Sequence, residues 1–335
     1  MATQKRQVKK RQIKELQAKK PQIKQPQGKE RARLKKVIAR LDKADRADDV
    51  WRAKRTATRR SVAGVLGAQA GMKGAKREFD ALTAKANAQA EKLAAQQHKA
   101  AIAASRKRAA QHKNMASGLI KGHLAVGGLN NLTDNTPRFL LQTPFEISLV
   151  GADLTEHRIL EGNSFARFNF VFGKNRNSAV RAHFSYVWVN PTDKFVLINA
   201  HGYIIFDGFI EVGVPSAFWP GDRAASVAVQ GYMGVHDFGP EPLLPSAYSP
   251  TETAAALSES DGGFGAVGAI ANKDVFRGFS LDTSLYIVKP RGTVGFVLAA
   301  NFPYSTGEDG GRVTGDFSEG GHRVTSPGVL VQIVS

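Results

Sequence analysis

An antiparallel β-sandwich of jelly-roll type, preceded by a basic N-terminal region that passes from disordered to helical, is the fold class this sequence predicts. Three observations carry it. Charge is divided unevenly: residues 1–120 hold 32 Lys and Arg against 9 Asp and Glu, whereas residues 121–335 hold 15 against 20. Texture changes with charge, from an Ala-, Gln- and Lys-rich stretch without proline at 76–113 to short period-2 segments bounded by turn residues beyond 140. Cysteine is absent, which excludes disulfides, thiol nucleophiles and thiolate metal sites, so the core must hold by packing alone. With 335 residues, 42% of them hydrophobic, the chain is long enough for that core.

The first element is a basic arm, residues 1–30. From Arg6 to Glu30 it repeats Gln and Lys every five residues, with Gln at 7, 12, 17, 22 and 27 and Lys at 9, 14, 19, 24 and 29. Five residues advance a helix by about 500°, which spreads the lysines around the cylinder. On a strand, an odd period alternates their faces. Pro21 and Pro26 break any regular helix in the last two copies. Charge density is what survives every conformation. Such an arm neutralises phosphates without reading bases, and no aromatic residues are interleaved for base stacking.

Residues 31–115 form the second element, a basic helical region. An apolar stripe at Leu34, Val37, Leu41, Ala44 and Trp51 precedes glycines at 64, 67, 71 and 74. A second stripe follows at Phe79, Leu82, Ala86, Ala90 and Leu93. It is thin and mostly alanine, so this helix is expected to pack against copies of itself or against a partner. A linker rich in Gly, Asn and Thr is expected over 116–140, and the β-sandwich over 141–335.

Within the sandwich, Phe168, Phe170 and Phe172 alternate, as do Ala182, Phe184, Tyr186 and Trp188. A long strand follows with apolar residues at even positions from Val196 to Val212. Further strands are expected at 143–150, 225–236, 275–288, 292–302 and 327–334. The alternating aromatic residues read as core packing. Residues 239–273, Pro-rich and then Ala-, Ser- and Gly-rich, read as one long loop.

The candidate polyanion-binding residues are Lys5, Arg6, Lys9, Lys10, Arg11, Lys14, Lys19, Lys20, Lys24 and Lys29 in the arm, Arg52, Lys54, Arg55, Arg59 and Arg60 beyond it, and Arg106, Lys107 and Arg108. Nucleic acid or another polyanion is the implied partner, and the absence of a zinc-finger, RNP-like or helix-turn-helix pattern argues against base readout. The odd face of the long strand carries Asn199, His201, Tyr203, Asp207 and Glu211. This row is a possible ligand face, for a sugar or for acid–base chemistry, and otherwise the solvated side of a sheet or a row satisfied beneath a loop. "GFGAVG" at Gly263–Gly268 matches G-x-G-x-x-G but lacks a βαβ setting, and reads as a flexible loop. The stretch containing Glu308, Asp309, Asp316 and Glu319 matches no EF-hand and reads as a polar turn. The eight histidines are scattered without ligand spacing, so neither a metal nor a cofactor is expected.

The function expected is therefore non-enzymatic: a structural, coat- or packaging-like protein that forms homo-oligomers. A carbohydrate- or surface-binding sandwich on a helical, coiled-coil stalk is the alternative, and an enzyme on a sandwich scaffold a third reading. No signal peptide or membrane-spanning run is read from the sequence, so a cytoplasmic location or one within an assembled particle is expected.

Overall fold

A computed structural model describes residues 73–126, 137–173, 175–217, 221–238, 245–261 and 268–334. The pentad arm, the stripe at 34–51 and every candidate basic residue from Lys5 to Arg60 lie outside these residues, as does most of the glycine loop at 263–267.

Among the described residues, two helices, α1 (Lys73–Lys107) and α2 (Ala109–Val126), precede thirteen strands. These are β1 (Arg138–Leu141), β2 (Glu146–Val150), β3 (Leu154–Arg158), β4 (Ser164–Phe172), β5 (Asn177–Val189), β6 (Val196–Val214), β7 (Arg223–Asp237), β8 (Ala247–Tyr248), β9 (Glu252–Asp261), β10 (Ala269–Val288), β11 (Thr293–Thr306), β12 (Arg312–Phe317) and β13 (Arg323–Ile333). One sheet runs β1-β13-β4-β12-β6-β10 with β3 beside β4, and the other runs β2-β5-β11-β7-β8 with β9 beside β7. From β4 to β7, and again from β10 to β12, successive strands switch sheet, the winding of a jelly-roll-like sandwich.

The sheets meet over the faces that the alternation picks out. Ile198, Ala200, Ile204, Phe206, Ile210 and Val212 point inward from β6, opposite Phe296, Leu298, Ala300 and Phe302 of β11. Phe302 lies 5.3 Å from Phe168, 5.9 Å from Phe170, 6.0 Å from Phe206 and 4.7 Å from Phe317 between ring centroids, so one aromatic from the second sheet is enclosed by four from the first. Each such side chain stabilises the fold by about 1.5–3 kcal/mol when fully buried.

Three expectations are corrected. The linker expected from 116 is helical as far as Val126, and β1 begins at Arg138. Gly118 and Gly122 are poor helix formers, but α2 packs on the sandwich and tertiary contact outweighs about 1 kcal/mol of lost propensity at each. The span 239–273 is not one loop, because β8 and β9 lie within it and β10 begins at Ala269. β9 pairs with β7 from Arg223 to Gly231, but it is built of Ala, Ser and Glu with only Ala255 buried, so its sequence lacks an apolar alternation. The acidic stretch around Asp316 holds β12, inserted between β4 and β6.

The helices, expected to pack against copies of themselves or a partner, lie instead on the outer face of the first sheet of their own chain. Leu93, read as part of their apolar stripe, is 54% exposed, and the buried line runs instead through Thr83, Ala94, Ala101, Ser105 and His112. Asn87 meets Ser216, His98 stacks on Phe209 and His123 lies tilted against His201. Between Asn87 and His123 the helical rise is about 54 Å. From Ser216 back to His201 the strand direction spans about 50 Å. The two helices therefore run antiparallel to β6 along nearly its whole length. Close approach requires Gly278 on β10, where a Cβ would fall 2.7 Å from Met115 Sδ and 3.1 Å from a Leu119 methyl.

Candidate functional site

The odd face of β6 is where the structure gathers its polar chemistry, and α1 and α2 cover it. Tyr203, Asp207 and Glu211 are buried, while Asn199 and His201 are half-buried. The row is neither open nor solvated: it is covered, by the helices in place of a loop. Sheet register sets the rows. Asp282 of β10 stands opposite His201, Ser280 opposite Tyr203, Phe276 opposite Asp207 and Asp274 opposite Phe209. From the other side β13 places Leu330 beside His201 and Arg323 beside Asp207, and β12 places Asp316 beside Phe209.

Three clusters fasten the helices to this face. At the centre, the wholly buried carboxylate of Asp207 accepts a hydrogen bond from Arg108 Nη1 at 2.9 Å, and its other oxygen lies 2.8 Å from His112 Nε2. Arg108 also grips Asp274 with both terminal nitrogens and stacks 5.0 Å above the ring of Phe276. The hydrogen bond to Asp274 is the main cause of a guanidinium pKa raised above its ordinary value. Arg108, read from the sequence as a polyanion ligand, is therefore committed to carboxylates of its own chain. Arg106 and Lys107 beside it are exposed.

Towards the start of α1, Asp316 takes His98 Nε2 at 2.8 Å and His322 Nδ1 at 3.1 Å on one oxygen. Its other oxygen accepts the backbone N–H groups of Ser318 and Glu319 at 2.9 and 3.0 Å. Burial pushes this carboxyl up, but the bonds from His322, His98 and the two amides outweigh it and hold the group well below the carboxylate range. Two further members of the row are tied locally: Glu211 accepts from Arg312 at 2.5 Å, and Asn199 from the backbone N–H of Leu285 at 3.0 Å.

At the far end, His123 of α2, His201 and Asp282 converge. His201 Nδ1 lies 2.9 Å and His123 Nε2 3.7 Å from the same oxygen of Asp282, and the imidazole centroids are 4.3 Å apart. Ser280 donates to that oxygen at 2.6 Å. Burial raises the Asp282 carboxyl, and the bonds from His123, His201 and Ser280 more than reverse this.

The solvent side of the helices is basic. Lys92, Lys99, Arg106 and Lys113 are all exposed and recur at intervals of seven, joined by Lys107 and Lys121. Seven residues advance a helix by about two turns and 10.5 Å, so the four form one line along the ridge. Residues two further on, at 94, 101, 108 and 115, sit about 200° around the helix and face the sheet. None of the six cations has an ion pair or hydrogen bond to another described residue.

Sequence reasoning picked out the β6 row and Arg108 but missed the roles of His98, His112, His123, Asp274, Asp282 and His322. One signal was present: His98, His112 and His123 are spaced 14 and 11 apart, which returns each to within about 40° of the same helical face. No sequence pattern names their carboxylate partners.

No protein-family model matches this chain, and no curated protein matches it. Among solved structures, the tailspike protein 4 enzymatically active domain of bacteriophage CBA120 aligns at 10% identity over 62% of this chain and 20% of its own, with a TM-score of 0.18. The infectious bursal disease virus VP2 subviral particle aligns at 13% identity, 60% and 38% coverage and a TM-score of 0.18. A family 35 carbohydrate binding module from Clostridium thermocellum aligns at 10% identity, 54% and 98% coverage and a TM-score of 0.17. The alignments span about a fifth of the tailspike chain and under two fifths of the VP2 chain. Likeness at this level carries no argument about function.

Proposed function

We propose that this chain is a non-enzymatic structural protein whose basic N-terminal region binds nucleic acid or a related polyanion without sequence preference, and whose sandwich mediates assembly. One observation carries the reading: the ridge of Lys92, Lys99, Arg106 and Lys113 on the solvent side of the helices, opposite the face fastened to the sheet. It continues the basicity of residues 1–72, which hold 22 Lys and Arg against 6 Asp and Glu. A line of uncommitted cations at steps of about 10.5 Å suits a repeating polyphosphate better than a single small ligand. The sealing of Tyr203 and Asp207 beneath the helices makes the polar row a fastening in place of an open site, which supports the non-enzymatic part of the reading.

The test is fluorescence anisotropy of the full chain with short DNA and RNA duplexes across a salt series. Binding is expected to fall linearly on a log–log plot and to differ little between sequences. Replacing Lys92, Lys99, Arg106 and Lys113 by Gln is expected to lower the slope by up to about 3–4, close to one unit per lost phosphate contact. Full-length protein that shows no salt-dependent binding to either nucleic acid would overturn the proposal.

A further inference from the structure

We propose that His123, His201 and Asp282 form a binding site for a divalent transition-metal ion of the zinc type, which ties the last turns of α2 to β6 and β10. The three ligand atoms lie within 4.8 Å of one another. Zinc takes nitrogen and oxygen ligands at about 2.0–2.1 Å in a tetrahedral arrangement, which sets neighbouring ligand atoms about 3.3 Å apart. The two distances to Asp282, 2.9 and 3.7 Å, bracket that value.

Hydrogen bonding prepares the site. His123 Nδ1 lies 3.3 Å from the carbonyl of Leu119, one turn back, and a carbonyl only accepts, so Nδ1 carries the proton. In the neutral ring this leaves a lone pair on Nε2, which lies 3.3 Å from the Ser280 hydroxyl oxygen and 3.7 Å from an Asp282 oxygen that has no proton to give. Ser280 has one hydroxyl proton, and its 2.6 Å bond to Asp282 uses it. A lone pair facing a carboxylate across 3.7 Å calls for a cation between them. The backbone bond to Nδ1 is also the outer-shell contact that orients a metal-ligating histidine. On the adjacent row, the Tyr203 hydroxyl is buried without a hydrogen-bond partner, and the Asp282 charge acts on it.

The other two His–carboxylate clusters lack this vacancy of charge. Asp207 and Asp274 already share the Arg108 guanidinium. Asp316 has two histidines on one oxygen and two backbone amides on the other. Access differs as well: the side chains of His123, His201 and Asp282 are 25%, 17% and 51% exposed, whereas Asp207 is sealed. No histidine or cysteine occurs before His98, so the basic N-terminal region supplies no competing imidazole or thiolate.

The experiment uses the full chain stripped with chelator, titrated with Zn2+ by calorimetry and with Co2+ by its visible absorption. One equivalent is expected to bind, with the spectrum of a tetrahedral nitrogen–oxygen site, and Zn2+ is expected to raise Tm. His123→Ala and Asp282→Asn are expected to weaken binding at least about tenfold and to abolish the rise in Tm, while His98→Ala leaves both intact. Asp282 is half-exposed, so its conservative variant should fold, and far-ultraviolet circular dichroism confirms this for each protein. Failure of the folded wild-type chain to take up either ion would overturn the site, leaving a proton as the cation between His123 and Asp282. Undiminished uptake by both variants would overturn it equally.

Discussion

Asp207 is the residue on which the helix–sheet contact turns, because one buried carboxylate satisfies both Arg108 and His112. Asp207→Ala leaves His112 with no acceptor and Arg108 with Asp274 alone, and urea unfolding is expected to show a loss of about 3 kcal/mol. Asp207→Asn retains one acceptor oxygen and should cost less. Two histidines away from this face set an acid limit. Burial, aided at His183 by the Arg181 charge, pushes His183 and His236 down to about 4 from an ordinary 6.5. Between those values the unfolded chain binds protons that the folded one refuses, so their contribution is complete above 6.5 and is lost as pH falls towards 4. Tm should fall across that window, each histidine accounting for up to about 3 kcal/mol, and the fall should flatten in His183→Leu.

At the scale of elements, legibility followed the apolar pattern. β4, β5 and β6 alternate large apolar and polar or small residues strongly enough to name their inward faces. β9 and β12 do not: the first carries Ala, Ser and Glu, and the second reads Arg-Val-Thr-Gly-Asp-Phe. Both are strands because neighbours offer them ladder partners, β7 to one and β4 and β6 to the other. The helices were legible from propensity, but their buried stripe was not, since it consists of Ala94, Ala101, Ser105 and His112 in place of leucines. Small residues there let α1 and α2 approach the sheet closely, and Gly278 does the same from below. In Gly278→Val the added side chain meets Met115 and Leu119. Hydrogen exchange is expected to quicken in α2 by about tenfold or more, while amides of β11 keep their protection.

For the whole molecule, the helices supply the cover that one side of the sandwich lacks. Tyr203, Ile205 and Phe209 are buried on the outer face of β6, a face that a free-standing sheet would leave to water. A chain beginning at Pro137 is therefore expected to bind hydrophobic dyes and to self-associate at concentrations where the intact chain does not, as gel filtration of the two would show. Among the described residues, no helix is long and apolar enough to cross a membrane. The charge division makes sense in this frame, with the fastened side of each helix turned to Asp207, Asp274, Asp282 and Asp316 and the free side carrying lysine and arginine.

By itself the sequence determined the class of fold, the inward faces of the long strands, the helical character of 76–113 and the segregation of positive charge. All of these rest on periodicity or composition, which are local properties. Only the tertiary structure decided where the helices lie, which row they cover and which carboxylate meets which histidine. His112 reaches across 95 residues to Asp207, and His98 across 218 to Asp316. Such pairings follow from the order of strands in a sheet and the register of their ladders, and no local period encodes either.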